Sequence, residues 1–170
     1  MQAALIVLCA VLSAIGYGVL HDQVTVRVCL EYFTIGHPPV FGTASPSLLA
    51  IGWGVIATWW VGLPLGVALA IAARAGSKPT LRAQSLIRPI GVLLLVMATC
   101  ALLAGFVGAV LARSGWIFLL EPLYSEVPRT KHVAFLADAW AHTASYLAGI
   151  LGGSILVVRT WRSRRVPVVK

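Results

Sequence analysis

Four apolar stretches, each about as long as a bilayer is thick, constrain this chain more than any other feature. A helix that crosses the hydrocarbon core of a bilayer needs about 20 predominantly apolar residues. The stretches that meet this requirement cover about residues 3–20, 48–73, 89–112 and 132–158. They predict an all-α membrane protein whose single membrane domain, residues 1–170, is a bundle of four transmembrane helices.

The composition argues against a water-soluble domain of this length. Of the 170 residues, 59% are hydrophobic and 11% are charged, whereas soluble domains are about 45–50% apolar and about 25% charged. A chain this short leaves much of its surface exposed, so it cannot hide such an excess in a core. We therefore expect the lipid bilayer to surround it.

The net charge of +8 does not indicate a nucleic-acid-binding protein. The 13 Lys and Arg residues outnumber 5 acidic residues, but they flank the apolar stretches instead of forming a basic stripe interleaved with aromatic residues. Such flanks are typical of helices anchored beside anionic cytoplasmic lipid. We expect as partners the lipid bilayer and a membrane-protein partner or a second copy of this chain, and no nucleic acid.

The basic residues also predict the orientation. Loop 74–88 and tail 159–170 carry Lys and Arg but no acidic residue, whereas loops 21–47 and 113–131 carry fewer basic residues or offset them with acids. The positive-inside rule then places the loop 74–88, the tail and both termini in the cytoplasm of a cell whose inner (plasma) membrane holds the protein. The two outer loops would form a small extracytoplasmic cap.

The first apolar stretch is expected to remain as a helix and not to be cleaved as a signal peptide. Its N-terminal residues Met1-Gln2-Ala3 carry no positive charge, and no small-x-small cleavage pattern precedes His21. Beyond it, apolar and polar residues alternate from Val24 to Tyr32, a period of two that predicts a strand or an extended segment.

Features of the later stretches predict where helices begin, bend and pack. Ser45-Pro46-Ser47 is typical of a helix start, and Pro64 should kink the second stretch. Small residues at a spacing of four predict helix contacts in lipid. An antiparallel pairing of the first and fourth stretches is one hypothesis. The longest such row lies in the fourth stretch, which we expect to be central and tightly packed. It consists of Ala137, Ala141, Ser145, Gly149 and Gly153.

All acidic residues and all histidines map to the outer loops or to the outer halves of helices. They are Asp22, Glu31, Glu121, Glu126, Asp138, His21, His37, His132 and His142. In the fourth helix, Asp138 and His142 would lie roughly 9 Å and roughly 15 Å below His132, too deep for exposure to lipid. Ionisable groups at such depth face protein or water and mark function.

These positions define the candidate polar cluster, which consists of His21, Asp22, Glu31, Asp138, His142 and Tyr146. Asp138, His142 and Tyr146 follow one another at a spacing of four and therefore share one helix face. Pairing of the first and fourth helices would bring His21 and Asp22 toward Asp138. No catalytic residue can be assigned from these positions.

Three interpretations of the cluster stay open. In a structural one, Asp138 pairs with Arg113, Arg27 or His142, and loss of either partner would destabilise the protein. In the second, His21, Asp22, Asp138 and His142 bind a divalent metal ion, for which they are suitable ligand types. In the third, His142 titrates beside a carboxylate in a proton or substrate path. No cofactor is predicted from these residues, although a divalent metal ion would suit them.

Three segments carry a resemblance to known proteins. HDQVTVRVCLEYFTIGHP (His21 to Pro38), ATWWVG (Ala57 to Gly62) and FLADAWAHTASY (Phe135 to Tyr146) resemble an uncharacterised family of small bacterial multi-pass membrane proteins. The resemblance implies a bacterial membrane setting and no particular activity.

We expect a non-enzymatic role, in which the chain binds a partner, a lipid or a small ligand through the extracytoplasmic polar cluster. The alternative is a metal- or proton-dependent membrane enzyme or transporter that uses Asp22, Asp138 and His142.

Overall fold

The computed structural model describes residues 1–164, and every regular element among them is helical. The predicted all-α class is therefore confirmed. The α-helices are α1 (Gln2–Val28), α2 (Leu30–Thr34), α3 (Pro46–Ile56), α4 (Trp59–Arg74), α5 (Gln84–Arg113), α6 (Leu123–Glu126) and α7 (His132–Ser163), and a 3-10 turn covers Arg129–Lys131. Residues 165–170 of the predicted cytoplasmic tail lie outside the described residues.

Four helical segments are long and apolar enough to cross a membrane, as predicted. They are Gln2–Val28, Pro46–Arg74, Gln84–Arg113 and Arg129–Ser163, with lengths of 27, 29, 30 and 35 residues. Each is longer than its predicted stretch, because the helices continue through polar residues at their ends. At about 1.5 Å per residue, all four exceed the hydrocarbon thickness of about 30 Å.

The predicted strand between Val24 and Tyr32 is wrong. Helix α1 continues to Val28, and α2 begins at Leu30 after Cys29, whose extended backbone (φ −146°, ψ 101°) separates the two helices. Burial follows the helical period, since Asp22, Thr25 and Val26 are buried while Val24 and Val28 are exposed. The alternation of residue types therefore reflects a helix with one face against protein and another left open.

The second span begins at Pro46, as predicted, and is interrupted at Ala57–Thr58. The Thr58 side chain donates a hydrogen bond to the Gly54 carbonyl oxygen, at 2.5 Å, beside this interruption. Pro64, the predicted site of a kink, lies inside the continuous helix α4. The helix is thus interrupted six residues before the proline.

Helix α1 packs closely on the second span through glycines. A Cβ atom added at Gly54 would lie 2.5 Å from the Val19 backbone nitrogen, and one at Gly62 would lie 2.9 Å from the Val11 Cα atom. Glycine therefore allows a backbone approach that a larger residue would prevent. The row Ala10, Ala14 and Gly18 contacts this span, and not the fourth helix, whose pairing with α1 was one hypothesis.

Helices α5 and α7 form the other close pair. Gly108 lies against the side chain of Trp140, and Gly105 lies against Ala141. The two pairs meet where Leu65 packs on Gly153 and where Ile6, Leu69, Leu93 and Leu156 join one buried cluster. The fourth helix contacts all three other spans, but most of its packing is against the third.

Arg164 closes one end of the bundle. Its guanidinium group is buried, with the residue 2% exposed, and donates to the carbonyl oxygens of Pro79, Ala72 and Lys78 at 2.7, 2.8 and 2.8 Å. Ala72 lies in the last turn of α4, where carbonyl groups lack partners within the helix. The end of α7 and the loop after α4 therefore lie together, and Gln2 also reaches this end by accepting from the Ala83 N–H.

Candidate metal and ligand site

The C-terminal end of α1 supplies two neighbouring candidate side chains. His21 and Asp22 lie in the last two turns of this helix, and Asp22 is 5% exposed. Tyr17, one turn earlier, stacks on the His21 ring with centroids 5.7 Å apart. The Tyr17 hydroxyl shares a 2.8 Å hydrogen bond with Ser145 of α7. This bond holds the two helices together immediately beside the cluster.

His142 of α7 completes the contact with α1. Its Nδ1–H donates to the Asp138 carbonyl oxygen at 2.9 Å, since a carbonyl can only accept. Its Nε2 atom lies 3.2 Å from Asp22 Oδ1. The backbone contact therefore fixes the ring orientation and directs Nε2 at the carboxyl group. The predicted approach of the first and fourth helices occurs at this point.

Three of the predicted ligands converge. His21, Asp22 and His142 each offer one ligand atom, and these atoms lie within 4.8 Å of one another. The His21 and His142 rings meet edge to face with centroids 4.5 Å apart. The His21 Nε2 atom is buried and has no hydrogen-bond partner. We refer to His21, Asp22 and His142 as the metal cluster.

A cavity of about 100 Å³ opens beside the metal cluster. Its wall includes Tyr17, Tyr32, Ser145 and Tyr146. A water molecule needs about 10–15 Å³ of such space, so the cavity holds several. Tyr32 also stacks on the His142 ring with centroids 4.6 Å apart, and Tyr146 donates to the Ala57 carbonyl oxygen at 3.4 Å.

Asp138 does not join this group, although it was predicted as a ligand. It lines a different space, a groove of about 490 Å³ on the other side of His21. Asp138 is 2% exposed, and its Oδ2 atom has no hydrogen-bond partner. The side chains one turn apart on α7 thus face two separate spaces.

Arg27, one of the predicted partners of Asp138, does not pair with it. The Arg27 guanidinium group donates to the backbone and side-chain oxygens of Gln23 and to Ser47. Within residues 1–164, no lysine or arginine forms a salt bridge with Asp22 or Asp138. The two buried carboxyl groups therefore lack a permanently charged protein partner there.

Glu31 lies apart from the metal cluster. Its carboxylate is 3.7 Å from the Lys131 ammonium group and accepts a 3.5 Å hydrogen bond from the Cys29 thiol. Burial raises the pKa of Cys29 to about 11, and the hydrogen bond to Glu31 acts in the same direction. Burial also raises the pKa of Tyr32. Glu31 thus joins α2 to the 3-10 turn before α7.

Sequence reasoning missed the aromatic residues around the cluster, of which Tyr17 and Tyr32 contact the histidine rings. The spacing of four between Tyr17 and His21 was the available signal for the first. Tyr32 had no such signal, because the segment was interpreted as a strand.

Comparison of the chain with protein-family models, curated proteins and solved structures gives no match.

Proposed function

We propose that this chain is a multi-pass protein of a bacterial inner membrane that binds a divalent transition-metal ion in its extracytoplasmic half. The ligands are His21, Asp22 and His142. The membrane setting is supported by four helices of sufficient length and apolarity, and the bacterial setting by the resemblance of three segments described above. Binding of the ion is a non-enzymatic role.

The distribution of charge supports both termini being cytoplasmic. Gln2 contacts Ala83, and Arg164 contacts the loop after α4, so the described ends of the chain lie beside the loop that carries Lys78 and Arg82. That end is the basic one, and basic segments stay in the cytoplasm. The metal cluster then belongs to the outer half. A small extracytoplasmic cap is supported by the packing of Cys29, Leu119 and Val127 with Phe135.

The observation that carries the metal proposal is the arrangement of His142. A metal-bound histidine almost always donates its other ring N–H to a carboxylate, a backbone carbonyl or water. His142 does this through Nδ1 to the Asp138 carbonyl oxygen, which leaves Nε2 beside Asp22 Oδ1 at 3.2 Å. Around a tetrahedral ion with ligands at about 2.0–2.2 Å, ligand atoms lie about 3.4 Å apart. The observed distance matches this edge.

The other features of the cluster fit the same ligand. The partnerless Nε2 atom of His21 is a buried acceptor or donor that a metal ion or a bound water would satisfy. Two imidazoles and one carboxylate suit zinc and other first-row transition metals. These three ligands also leave a coordination position open toward the cavity of about 100 Å³.

This open position favours a second candidate function. Catalytic zinc sites keep three protein ligands and one exchangeable position, whereas structural sites are closed by four ligands. The cavity beside the cluster would admit water or a small substrate. The second candidate is therefore a metal-dependent membrane enzyme or transporter built on the same three residues, with Asp138 outside the coordination shell.

The test is metal stoichiometry and affinity in lipid nanodiscs. We expect the wild-type protein to bind one Zn²⁺ or Co²⁺ ion, and the variants His21→Ala and His142→Ala to lose at least 100-fold in affinity, since each removes a ligand. The matched control is His132→Ala. His132 also contacts a backbone carbonyl, that of Val127 at 2.9 Å, but lies outside the metal cluster.

Two results would contradict the proposal. One is wild-type protein that remains folded and binds no divalent metal at micromolar concentrations. The other is an equal loss of affinity in the His132→Ala control, which would show that binding depends on histidine content and not on the cluster. Helical content measured by circular dichroism checks that each variant is folded.

A further inference from the structure

The groove on the other side of His21 is a second space, which neither Asp22 nor His142 lines. It measures about 490 Å³, within the range of about 300–1,000 Å³ typical of small-molecule pockets. Three spans form it: α1 contributes Leu20 and Val24, α5 contributes Leu102 and Phe106, and α7 contributes Asp138 and Ala141. Such a wall, nearly all apolar, suits a lipophilic molecule.

The groove opens on the outer surface of the bundle. Leu20, Leu102 and Phe106 are 70%, 69% and 71% exposed, so large apolar side chains flank the opening. In a membrane these side chains face acyl chains. A ligand would therefore enter sideways from the bilayer.

Asp138 is the carboxyl group that lines the groove. Its Oδ2 atom is buried and forms no hydrogen bond. A carboxylate in such surroundings needs a cation or a hydrogen-bond donor, or else takes up a proton. No lysine or arginine among the described residues forms a salt bridge with it. The groove thus combines an apolar wall with one carboxyl oxygen that has no hydrogen-bond partner.

We propose that this groove binds a lipophilic ammonium compound, that is, an apolar chain with a protonated amine at one end. The amine N–H donates to Asp138 Oδ2, and its charge compensates the carboxylate. The Phe106 ring at the rim and the Tyr17 ring near His21 add faces that attract a cation. Asp22 belongs to the metal cluster and does not line the groove, so the carboxyl group in the groove is that of Asp138.

A neutral lipid tail is the competing occupant, and three probes of the same chain length separate the two. They are decylammonium, decanol and decyltrimethylammonium, measured against wild-type protein in phosphatidylcholine nanodiscs with protein-free nanodiscs as the reference. We expect saturable binding of decylammonium at least tenfold tighter than that of decanol. Decyltrimethylammonium keeps the charge but lacks an N–H, so it should bind between the two.

Two pairs of variants locate the binding. Asp138→Asn should weaken decylammonium binding at least tenfold and leave decanol unchanged, while Glu121→Gln, at an exposed carboxylate outside the groove, should change neither. Val24→Trp should fill the groove and weaken all probes. Its control, Leu12→Trp, lies on the same helix with the same 57% exposure but outside the groove.

Three results would overturn the proposal. They are equal affinity for decanol and decylammonium, undiminished decylammonium binding in Asp138→Asn, and equal binding by Val24→Trp and Leu12→Trp. The first uses wild-type protein alone and decides the matter if a variant does not fold. Because no metal ligand is changed, retained metal binding by these variants also separates this inference from the proposed function.

Discussion

Two buried sites differ in whether their polar groups have hydrogen-bond partners. One is the end of the bundle at Arg164, and the other is the polar cluster around His142, about 33 Å away along α7. All three donor nitrogens of the Arg164 guanidinium group donate to backbone carbonyl oxygens. Near His142, the His21 Nε2 and Asp138 Oδ2 atoms are also buried but have no partner. Buried polar groups in proteins are nearly always hydrogen-bonded. We therefore interpret the Arg164 end as a structural closure and propose the cluster around His142 as the ligand site.

The largest effect is expected at the Arg164 end. Arg164→Met removes three hydrogen bonds from a charged group and leaves the carbonyl oxygen of the buried residue Ala72 unpaired, so the free energy of unfolding should fall by about 3 kcal/mol. Reversible unfolding in mixed micelles measures it. The control is Arg162→Met, at an exposed position two residues earlier, for which we expect a change below about 0.5 kcal/mol. Equal losses of unfolding free energy in the two variants would contradict a structural role of Arg164.

The next largest effect is expected at Cys29, and it tests whether water reaches this end of the bundle. Cys29 has a pKa raised from 9.0 to about 11 by burial, so its reactive thiolate is about 100-fold rarer at pH 8 than in the unfolded chain. Alkylation of Cys29, measured in a background with Cys9→Ala and Cys100→Ala, should be at least that much slower in folded protein and should rise as the pH approaches 11. Because the folded-state pKa of Cys29 is raised, the contribution of the neutral thiol to stability is fully present below the unfolded pKa of 9.0 and is lost as the pH rises to about 11. Alkylation at the rate of the unfolded chain at pH 8 would show that this end is open to water.

The smallest effect is expected at Asp138. Since its Oδ2 atom has no partner to lose, Asp138→Asn should change the free energy of unfolding by less than about 1 kcal/mol. The same unfolding measurement as for Arg164 gives a direct contrast. A loss of about 3 kcal/mol or more would instead support the structural interpretation, in which Asp138 belongs to a buried pair.

Length and apolarity were sufficient to predict four helices, because a membrane span needs little else. Helix partners were harder to predict. The row Ala10, Ala14 and Gly18 is equally suited to several neighbours, and the structure places it against the second span and not the fourth. Small residues identify a contact face but carry no information about which helix fills it.

The candidate site was also predicted only in part. The concentration of histidines and acids in the outer half pointed to His21, Asp22 and His142, which the structure brings together. It could not separate Asp138 from them, because a spacing of four residues on one helix face does not fix which space each side chain lines. Glu31 was included on charge alone, and its contacts are with Lys131 and Cys29.

The most direct test of the metal site is X-ray absorption at the zinc edge of protein reconstituted in nanodiscs. We expect nitrogen and oxygen neighbours of the zinc ion at about 2.0–2.2 Å. The spectrum should also contain the outer-shell scattering of two imidazole rings and no contribution from sulfur. The imidazole signal should halve in His142→Ala and remain unchanged in His132→Ala. A sulfur neighbour at about 2.3 Å, or a shell without imidazole, would contradict binding by His21, Asp22 and His142.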